Sequence, residues 1–370
     1  MPKINAFLKF FNTSPIDIPQ IHLLETYMRK KLPFVAELAT TAMGILPHKN
    51  VDDALNLALS LDIPFWPQLP RVSFFEDMYV QALEHFPGAV LDEATQRVYI
   101  DTRLFYDGLD AFFSHEQDDA WFALSEDRSR VFRKFLDRDL SRFKSVHGQV
   151  ISPVSLTLKI VDENGRPIVY NDDIRSIAFS FIQKRVNAQY KELVVKNERA
   201  FVWIDDPGLE FIFSAMSGYD HIKARDELLE FYDGIEGPRG LHLCGNPDWD
   251  FLLSLNIDII SLNAWGFGDI FVNYATVNNF IEGGGVVSWG IVPTYQDELL
   301  KEDAGTLANR LEKIWGPLAA RGLDMAEIAS GSMLAPATCN IVNPDRTETV
   351  EKAFGLLRQV SGHLKERYIQ

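Results

Sequence analysis

Three side chains of this chain have the residue types and spacing of a transition-metal site. His242 and Cys244 lie two residues apart in GLHLC, and Cys339, the only other cysteine, follows 339 − 244 = 95 residues later. On a β-strand, residues two apart point to the same face, so the imidazole and the first thiol would lie side by side. Catalytic Zn²⁺ sites use three imidazole, thiolate or carboxylate ligands and keep a fourth position open. The alternative is that both cysteines are small buried apolar residues, and spacing alone does not decide between the two.

Other polar residues follow apolar runs at the point where each run ends. Asp205 and Asp206 follow AFVWI, His242 and Cys244 end GLHLC, and Asn263 follows IDIISL. In a (β/α)₈ barrel the carboxyl ends of all strands meet at one rim, where active sites are assembled. Open α/β sheets usually bind ligands at a single switch point. Polar residues at the ends of several strands therefore favour the barrel over the doubly wound sheet.

The elements that must position these residues alternate between strands and helices, which predicts an α/β fold with a parallel sheet. Helices are expected after Asn50 and over 307–318 and 350–364. We predict a single (β/α)₈ TIM-type barrel over residues 38–370, with residues 1–37 as an N-terminal extension that decorates or closes its bottom. The predicted strands cover 40–46, 150–160, 200–205, 240–244, 258–262 and 285–291, with weaker ones near Ala89 and Ile328.

The composition argues against several classes of partner. The chain has 36 basic and 52 acidic residues, a net charge of −16 and no basic cluster, so we expect neither nucleic acid nor an anionic membrane as a partner. No apolar run reaches the roughly 20 residues that span a bilayer, and the amino terminus lacks the pattern of a signal peptide. Two cysteines are too few for a disulfide scaffold, which fits a reducing, cytoplasmic setting. Neither a dinucleotide-binding glycine fingerprint nor a P-loop is present.

Several segments resemble the superfamily of uroporphyrinogen decarboxylase and cobalamin-independent methionine synthase. They are most similar to the short methionine-synthase-like proteins, which match only the catalytic carboxyl-terminal half of the full enzyme. LHLCGN followed by a distant cysteine is the most specific motif. The resemblance implies a zinc-dependent transfer of a methyl group to a thiol on a (β/α)₈ barrel. The segments are TTAMGILPHKNVDDA (40–54), IPFWPQLP (63–70), ISPVSLTL (151–158), WIDDPGL (203–209), LHLCGN (241–246) and SWGIVPT (288–294).

By this resemblance, the zinc ligands are His242, Cys244 and Cys339. Asp205 matches an aspartate that receives the amino group of homocysteine, although a structural carboxylate is an equal alternative. Asn263 stands where the family's methionine synthases carry a fourth zinc ligand, a glutamate, and we assign it to substrate binding. With one carboxylate fewer, the zinc would be more positive and should lower the pKa of a bound thiol further.

The pocket residues implied by the resemblance are partly replaced. Gly44 matches a glycine that lines the amino-acid pocket, and Met78 matches a pocket methionine. Ile45 and Val72 replace a serine and a glutamate of the family, so the acceptor is homocysteine or another small thiol. Gly290 lies about where the full-length enzymes have a histidine that protonates the departing folate. An amine leaving group needs that proton and cob(I)alamin does not, so we expect a methylated corrinoid, free or protein-bound, as donor.

Two other functions stay open. A metal-independent decarboxylase of the same superfamily would leave the His-Cys pair unexplained. A non-catalytic barrel that keeps zinc and binds a thiol or a corrinoid protein is favoured by the replacements at Ile45, Val72 and Asn263. The aromatic segment Phe65-Trp66-Pro67 is interpreted either as part of the donor-binding surface or as packing.

Overall fold

The computed structural model describes residues 32–213, 218–219, 221–339, 341 and 343–369. The strands are β1 (Ala39–Thr40), β2 (Ala89–Asp92), β3 (Arg97–Ile100), β4 (His147–Ile151), β5 (Val161–Asp162), β6 (Phe201–Asp205), β7 (Arg239–Leu243), β8 (Ile259–Leu262), β9 (Val286–Val292) and β10 (Ser332–Pro336). The α-helices are α1 (Val51–Ala58), α2 (Met78–Ala82), α3 (Thr102–Ser114), α4 (Asp119–Phe122), α5 (Arg130–Leu136), α6 (Pro153–Lys159), α7 (Asp172–Lys196), α8 (His221–Asp233), α9 (Trp249–Leu253), α10 (Ala264–Phe271), α11 (Ala275–Glu282), α12 (Gln296–Leu299), α13 (Ala304–Ala320), α14 (Met325–Ser330) and α15 (Glu348–Tyr368).

Seven parallel strands curl into most of a ring, in the order β1-β10-β9-β8-β7-β6-β4. The segment 63–68 joins the two edges of this sheet. Phe65 forms a parallel bridge with His147 at the start of β4, and Gln68 forms one with Ile45 after β1. This irregular segment occupies the place of the eighth strand. The predicted α/β fold of the TIM-barrel type is therefore confirmed.

The barrel has an outer and an inner apolar layer. The outer cluster unites the sheet with the surrounding helices, whereas the inner cluster contains no residue of an α-helix. Because side chains alternate along a strand, the residues in phase with the inner cluster face the inside of the barrel. Cys339 packs against this cluster. The inner cluster consists of Phe34, Ala36, Ala39, Met43, Ile63, Phe201, Trp203, Ile259, Val286 and Met333.

The described part of the amino-terminal segment contributes to the inner layer. Phe34 and Ala36 are buried in it, and the ring of Phe34 stacks on that of Phe201 with centroids 5.8 Å apart. Residues 1–31 lie outside the described residues. The division of the chain into a 1–37 extension and a 38–370 barrel therefore stays a prediction.

Four sequence predictions are wrong in detail. The strand predicted over 40–46 is limited to the two residues of β1. The run over 150–160 is divided, because β4 ends at Ile151 and α6 begins at Pro153, where Ser152 caps the helix. A proline at the first helical position has a backbone angle already suited to a helix. The strand predicted near Ala89 exists as β2, but it belongs to a separate three-stranded sheet in the order β2-β3-β5. The strand predicted near Ile328 is α14, and β10 follows it.

The predicted helices are confirmed. Asn50 caps α1, and its Oδ1 accepts the backbone N–H of Asp52 at 2.9 Å and that of Asp53 at 3.4 Å. The apolar repeats over 307–318 and 350–364 lie in α13 and α15. Within the described ranges, every helix is too short or too polar to cross a membrane.

Candidate metal centre

Four adjacent strands place one polar row inside the barrel. The register of the sheet aligns Asp205 of β6 with His242 of β7, His242 with Ser261 of β8, and Ser261 with Ser288 of β9. The exposed fraction is 4% for each of the first three residues and zero for Ser288. Buried polar groups are normally hydrogen-bonded, so a buried polar row inside the barrel marks a candidate site.

His242, Cys244 and Cys339 meet at this row. His242 Nε2 lies 3.2 Å from Cys244 Sγ, which lies 3.6 Å from Cys339 Sγ. All three ligand atoms lie within 4.8 Å of one another. The zinc–sulfur and zinc–nitrogen bond lengths of tetrahedral sites place neighbouring ligand atoms about 3.5–3.8 Å apart. The residues that the sequence predicts as ligands therefore converge: the Sγ–Sγ distance falls in this range and the Nε2–Sγ distance is shorter, and their binding of zinc stays a prediction.

The loop of Cys339 is held by its backbone on both sides. Ala337 N donates to Val292 O at 2.8 Å, at the end of β9. Ile45 N donates to Cys339 O at 2.9 Å, and Ile341 N donates to Ile45 O at 3.2 Å. These bonds join the loops that follow β1, β9 and β10. The backbone of Ile45 makes two of these three bonds, so neither of the two involves its side chain.

The three candidate ligands shift each other's pKa. The hydrogen bond with Cys339 and the charge of His242 lower the pKa of Cys244, against the effect of its burial. The hydrogen bond with Cys244, burial and the nearby Asp205 raise the pKa of Cys339. Burial alone would lower the pKa of His242, but Cys244 and Asp205 outweigh it and raise that pKa. The shifts of Cys244 and His242 therefore oppose the effect of burial and arise from contacts at this site.

Asp205 and Asp206 have different surroundings. Burial raises the pKa of Asp205 to about 7, although the neighbouring His242 opposes the shift. Asp205 is the register partner of the candidate ligand His242, and its contact with a substrate stays a prediction. Asp206 holds the loop after β6, because its Oδ1 accepts from Ser155 Oγ, which itself accepts the N–H of Gly208 at 2.7 Å.

Three further predicted site residues have partners of their own. The carbonyl of Gly44 accepts the N–H of Gln68 at 2.9 Å, which helps to close the ring. Asn263 caps α10, and its Oδ1 accepts the N–H of Gly266 at 2.9 Å. Met78 begins α2, is 8% exposed and belongs to the outer cluster. The substrate contacts of these three residues stay predictions.

The aromatic segment after β1 is not a donor-binding surface. Phe65 and Trp66 are 0% and 1% exposed. The ring of Phe65 stacks on His147 with centroids 6.0 Å apart, and Trp66 packs on Phe132 at 4.7 Å. That interpretation is wrong, because the segment closes the ring and its aromatic side chains fill the core.

Sequence reasoning missed Ser261. His242 Nδ1 lies 2.9 Å from Ser261 Oγ, and both residues are buried. The signal was a serine inside the apolar run IDIISL, two residues before Asn263. That spacing places it on the same face of the strand as a residue already considered for the site.

Comparisons with known proteins bear on the fold. No protein-family model matches the sequence, and no curated protein matches it. A B12-independent methionine synthase from Shewanella sp. W3-18-1, solved in complex with selenomethionine, is similar with a TM-score of 0.53 and 13% identity over 89% of this chain and 98% of that chain. A methyltransferase from Methanosarcina mazei aligns with a TM-score of 0.49 and 14% identity over 95% and 96% of the two chains. The first likeness shows a shared fold, and function must be argued from the site.

Proposed function

We propose that this protein transfers a methyl group to the sulfur of a small thiol at a zinc ion held by His242, Cys244 and Cys339. The observation that carries the proposal is the convergence of one imidazole and two thiols from two segments 95 residues apart, with ligand atoms within 4.8 Å of one another. Among the described residues, no fourth histidine, cysteine or carboxylate joins this group. Structural zinc sites use four protein ligands, whereas catalytic sites use three and keep one position open.

The chain's own residues would orient the reactants. When bound by His242, Cys244 and Cys339, zinc would lower the pKa of the acceptor thiol, so that the thiol would be a thiolate near neutral pH. The sulfur then forms a bond to the methyl carbon as the bond between that carbon and the donor breaks. The electron pair of the broken bond leaves with the donor, and the thiol proton goes to solvent. The carboxylate of Asp205 would accept hydrogen bonds from the ammonium group of an amino-acid thiol such as homocysteine.

The proposed donor is a methylated corrinoid, free or carried by a protein. At Gly290 a Cβ atom would lie 2.6 Å from Leu262 O and 2.9 Å from Pro336 O. Because these are backbone atoms, no side chain, and hence no acid, fits at this position of β9. A folate donor leaves as an amine and needs a proton, whereas cob(I)alamin leaves without one. A reducing, cytoplasmic setting would keep both ligand thiols available.

Anaerobic incubation of the zinc-loaded protein with methylcobalamin and a panel of thiols tests this function. The panel contains homocysteine, cysteine, glutathione and 2-mercaptoethanesulfonate. We expect the methylcobalamin spectrum to decay with at least one thiol, the methyl thioether to appear by mass spectrometry, and Cys339→Ser to be inactive. If protein with a full complement of zinc demethylates the corrinoid with none of these thiols, the transferase proposal fails and a zinc-binding barrel without catalysis is favoured.

A further inference from the structure

We infer that Ser261 is a positioning residue for His242: its hydroxyl oxygen accepts the Nδ1 proton and leaves Nε2 as the metal-binding nitrogen. The inference rests on the proposed zinc site, and it adds a residue that neither the metal motif nor the resemblance assigns.

The two ring nitrogens of His242 face different partners. Nδ1 lies 2.9 Å from Ser261 Oγ, and Nε2 lies 3.2 Å from Cys244 Sγ. A neutral imidazole carries one N–H, and a nitrogen that binds a metal cannot carry it. The proton must therefore lie on Nδ1, where a hydroxyl oxygen at hydrogen-bonding distance accepts it. Burial of His242 and Ser261 keeps bulk water from replacing this partner.

The sheet holds this pair in place. His242 and Ser261 are register partners on the adjacent parallel strands β7 and β8. On the other side, the ring of Trp203 meets the imidazole edge-to-face, with centroids 6.5 Å apart. The imidazole plane is thus defined from two sides by residues on rigid strands. Rigid support of this kind lowers the rearrangement that metal binding requires.

The neutral character of Ser261 has a chemical consequence. A carboxylate that accepts the Nδ1 proton makes the imidazole a more basic ligand. A hydroxyl accepts the same proton with less effect on basicity, so the metal would remain more positive. This suits a site that must keep its bound thiol deprotonated.

Ser288 provides a matched control within the same row. It is the register partner of Ser261 on β9 and is fully buried. Among the described residues, its Oγ has no hydrogen-bond partner. Ser288→Ala therefore removes the same atom from the same layer without touching His242.

Zinc affinity, measured by competition with a chelator, tests the inference on wild-type protein and both serine variants. We expect Ser261→Ala to bind zinc about 10–100-fold more weakly and Ser288→Ala to stay within about threefold of wild type, because it loses an unpaired hydroxyl. In the metal-loaded wild type, ¹⁵N NMR of the imidazoles should show His242 protonated at Nδ1. Thermal unfolding of the metal-free proteins checks that each variant is folded.

The outcomes separate this inference from the proposed function. If Ser261→Ala binds zinc as tightly as Ser288→Ala, or if His242 binds the metal through Nδ1, the role of Ser261 is overturned while the zinc site stands. If wild-type protein binds no zinc, the proposed function fails first. If Ser261→Ala does not fold, the tautomer of His242 in the metal-loaded wild-type protein tests the role of Ser261 instead.

Discussion

Replacing His147 by glutamine should make the fold less sensitive to acid by about 2 kcal/mol between pH 7.5 and 5. His147 lies at the seam where 63–68 closes the ring, and it is 0% exposed. Its Nε2 lies 2.9 Å from Thr41 Oγ1 and its Nδ1 lies 3.1 Å from Gly148 O, while Phe65 stacks on the ring. Burial lowers the pKa of His147 to about 3, although the hydrogen bond to Gly148 opposes the shift.

The sign follows from which state binds the proton. The pKa of this histidine is 6.5 in its ordinary state and about 3 in the fold. Between these values the unfolded chain is protonated and the folded chain is not, so stability falls as the pH drops below 6.5 and the loss ends near pH 3. Each pKa unit corresponds to about 1.4 kcal/mol, so about 1.5 units at pH 5 remove about 2 kcal/mol and the full shift about 5 kcal/mol.

Urea unfolding at pH 7.5, 6 and 5 measures this effect. His147→Gln should be less stable than wild type at pH 7.5, because packing and hydrogen bonds are lost, and the gap should narrow by about 2 kcal/mol at pH 5. His363 on α15 is exposed, hence hydrated in both states, and His363→Gln is the control for the substitution. Parallel stability–pH curves for wild type and His147→Gln would refute the reasoning, because they would mean that His147 accepts its proton equally well in both states.

Three further predictions follow from the packing and from the site. Gly290→Ala should lower the free energy of unfolding by about 3 kcal/mol or more, because its Cβ would lie 2.6 Å from a backbone oxygen. Gly355→Ala, in open space on α15, should raise the free energy of unfolding by up to about 1 kcal/mol. Equal melting temperatures of the two variants would contradict this prediction. Ser155→Ala should cost about 1–3 kcal/mol, because Asp206 loses a buried hydrogen bond, and unchanged urea unfolding would count against that role. Diamide should oxidise the two cysteines of zinc-free protein to one disulfide, since their sulfurs lie 3.6 Å apart, and bound zinc should protect them. If mass spectrometry shows that the two thiols stay free or react independently, their contact is contradicted.

Most of the barrel could be predicted because its strands are buried on both faces. β6, β7, β8 and β9 are fully buried, and their runs are close to continuously apolar. The closing segment 63–68 could not be predicted, because Pro64 and Pro67 interrupt it and it pairs only through isolated bridges. The helix α6 was predicted as a strand because ISPVSLTL is apolar enough for one, although Ser152 and Pro153 are typical of a helix start.

The candidate ligands could be predicted because residue type limits them severely. A chain with two cysteines offers few thiolate sites, and residues two apart on a strand share a face. Spacing alone left buried apolar cysteines as an alternative, and the family resemblance favoured the ligands. Ser261 could not be assigned, because the register between β7 and β8 decides which residue faces the imidazole. The register depends on how the whole sheet packs, so no local pattern in the sequence predicts that Ser261 lies opposite His242.

The zinc content of purified protein tests the central claim most directly. Wild-type protein loaded under reducing conditions should hold about one zinc ion per chain, and Cys339→Ser should lose it or bind it far more weakly. The variant changes one sulfur, 3.6 Å from its partner, to oxygen and leaves the backbone bonds of the loop intact. Wild-type protein that takes up no zinc, or a Cys339→Ser variant that binds zinc with unchanged affinity, would contradict the account.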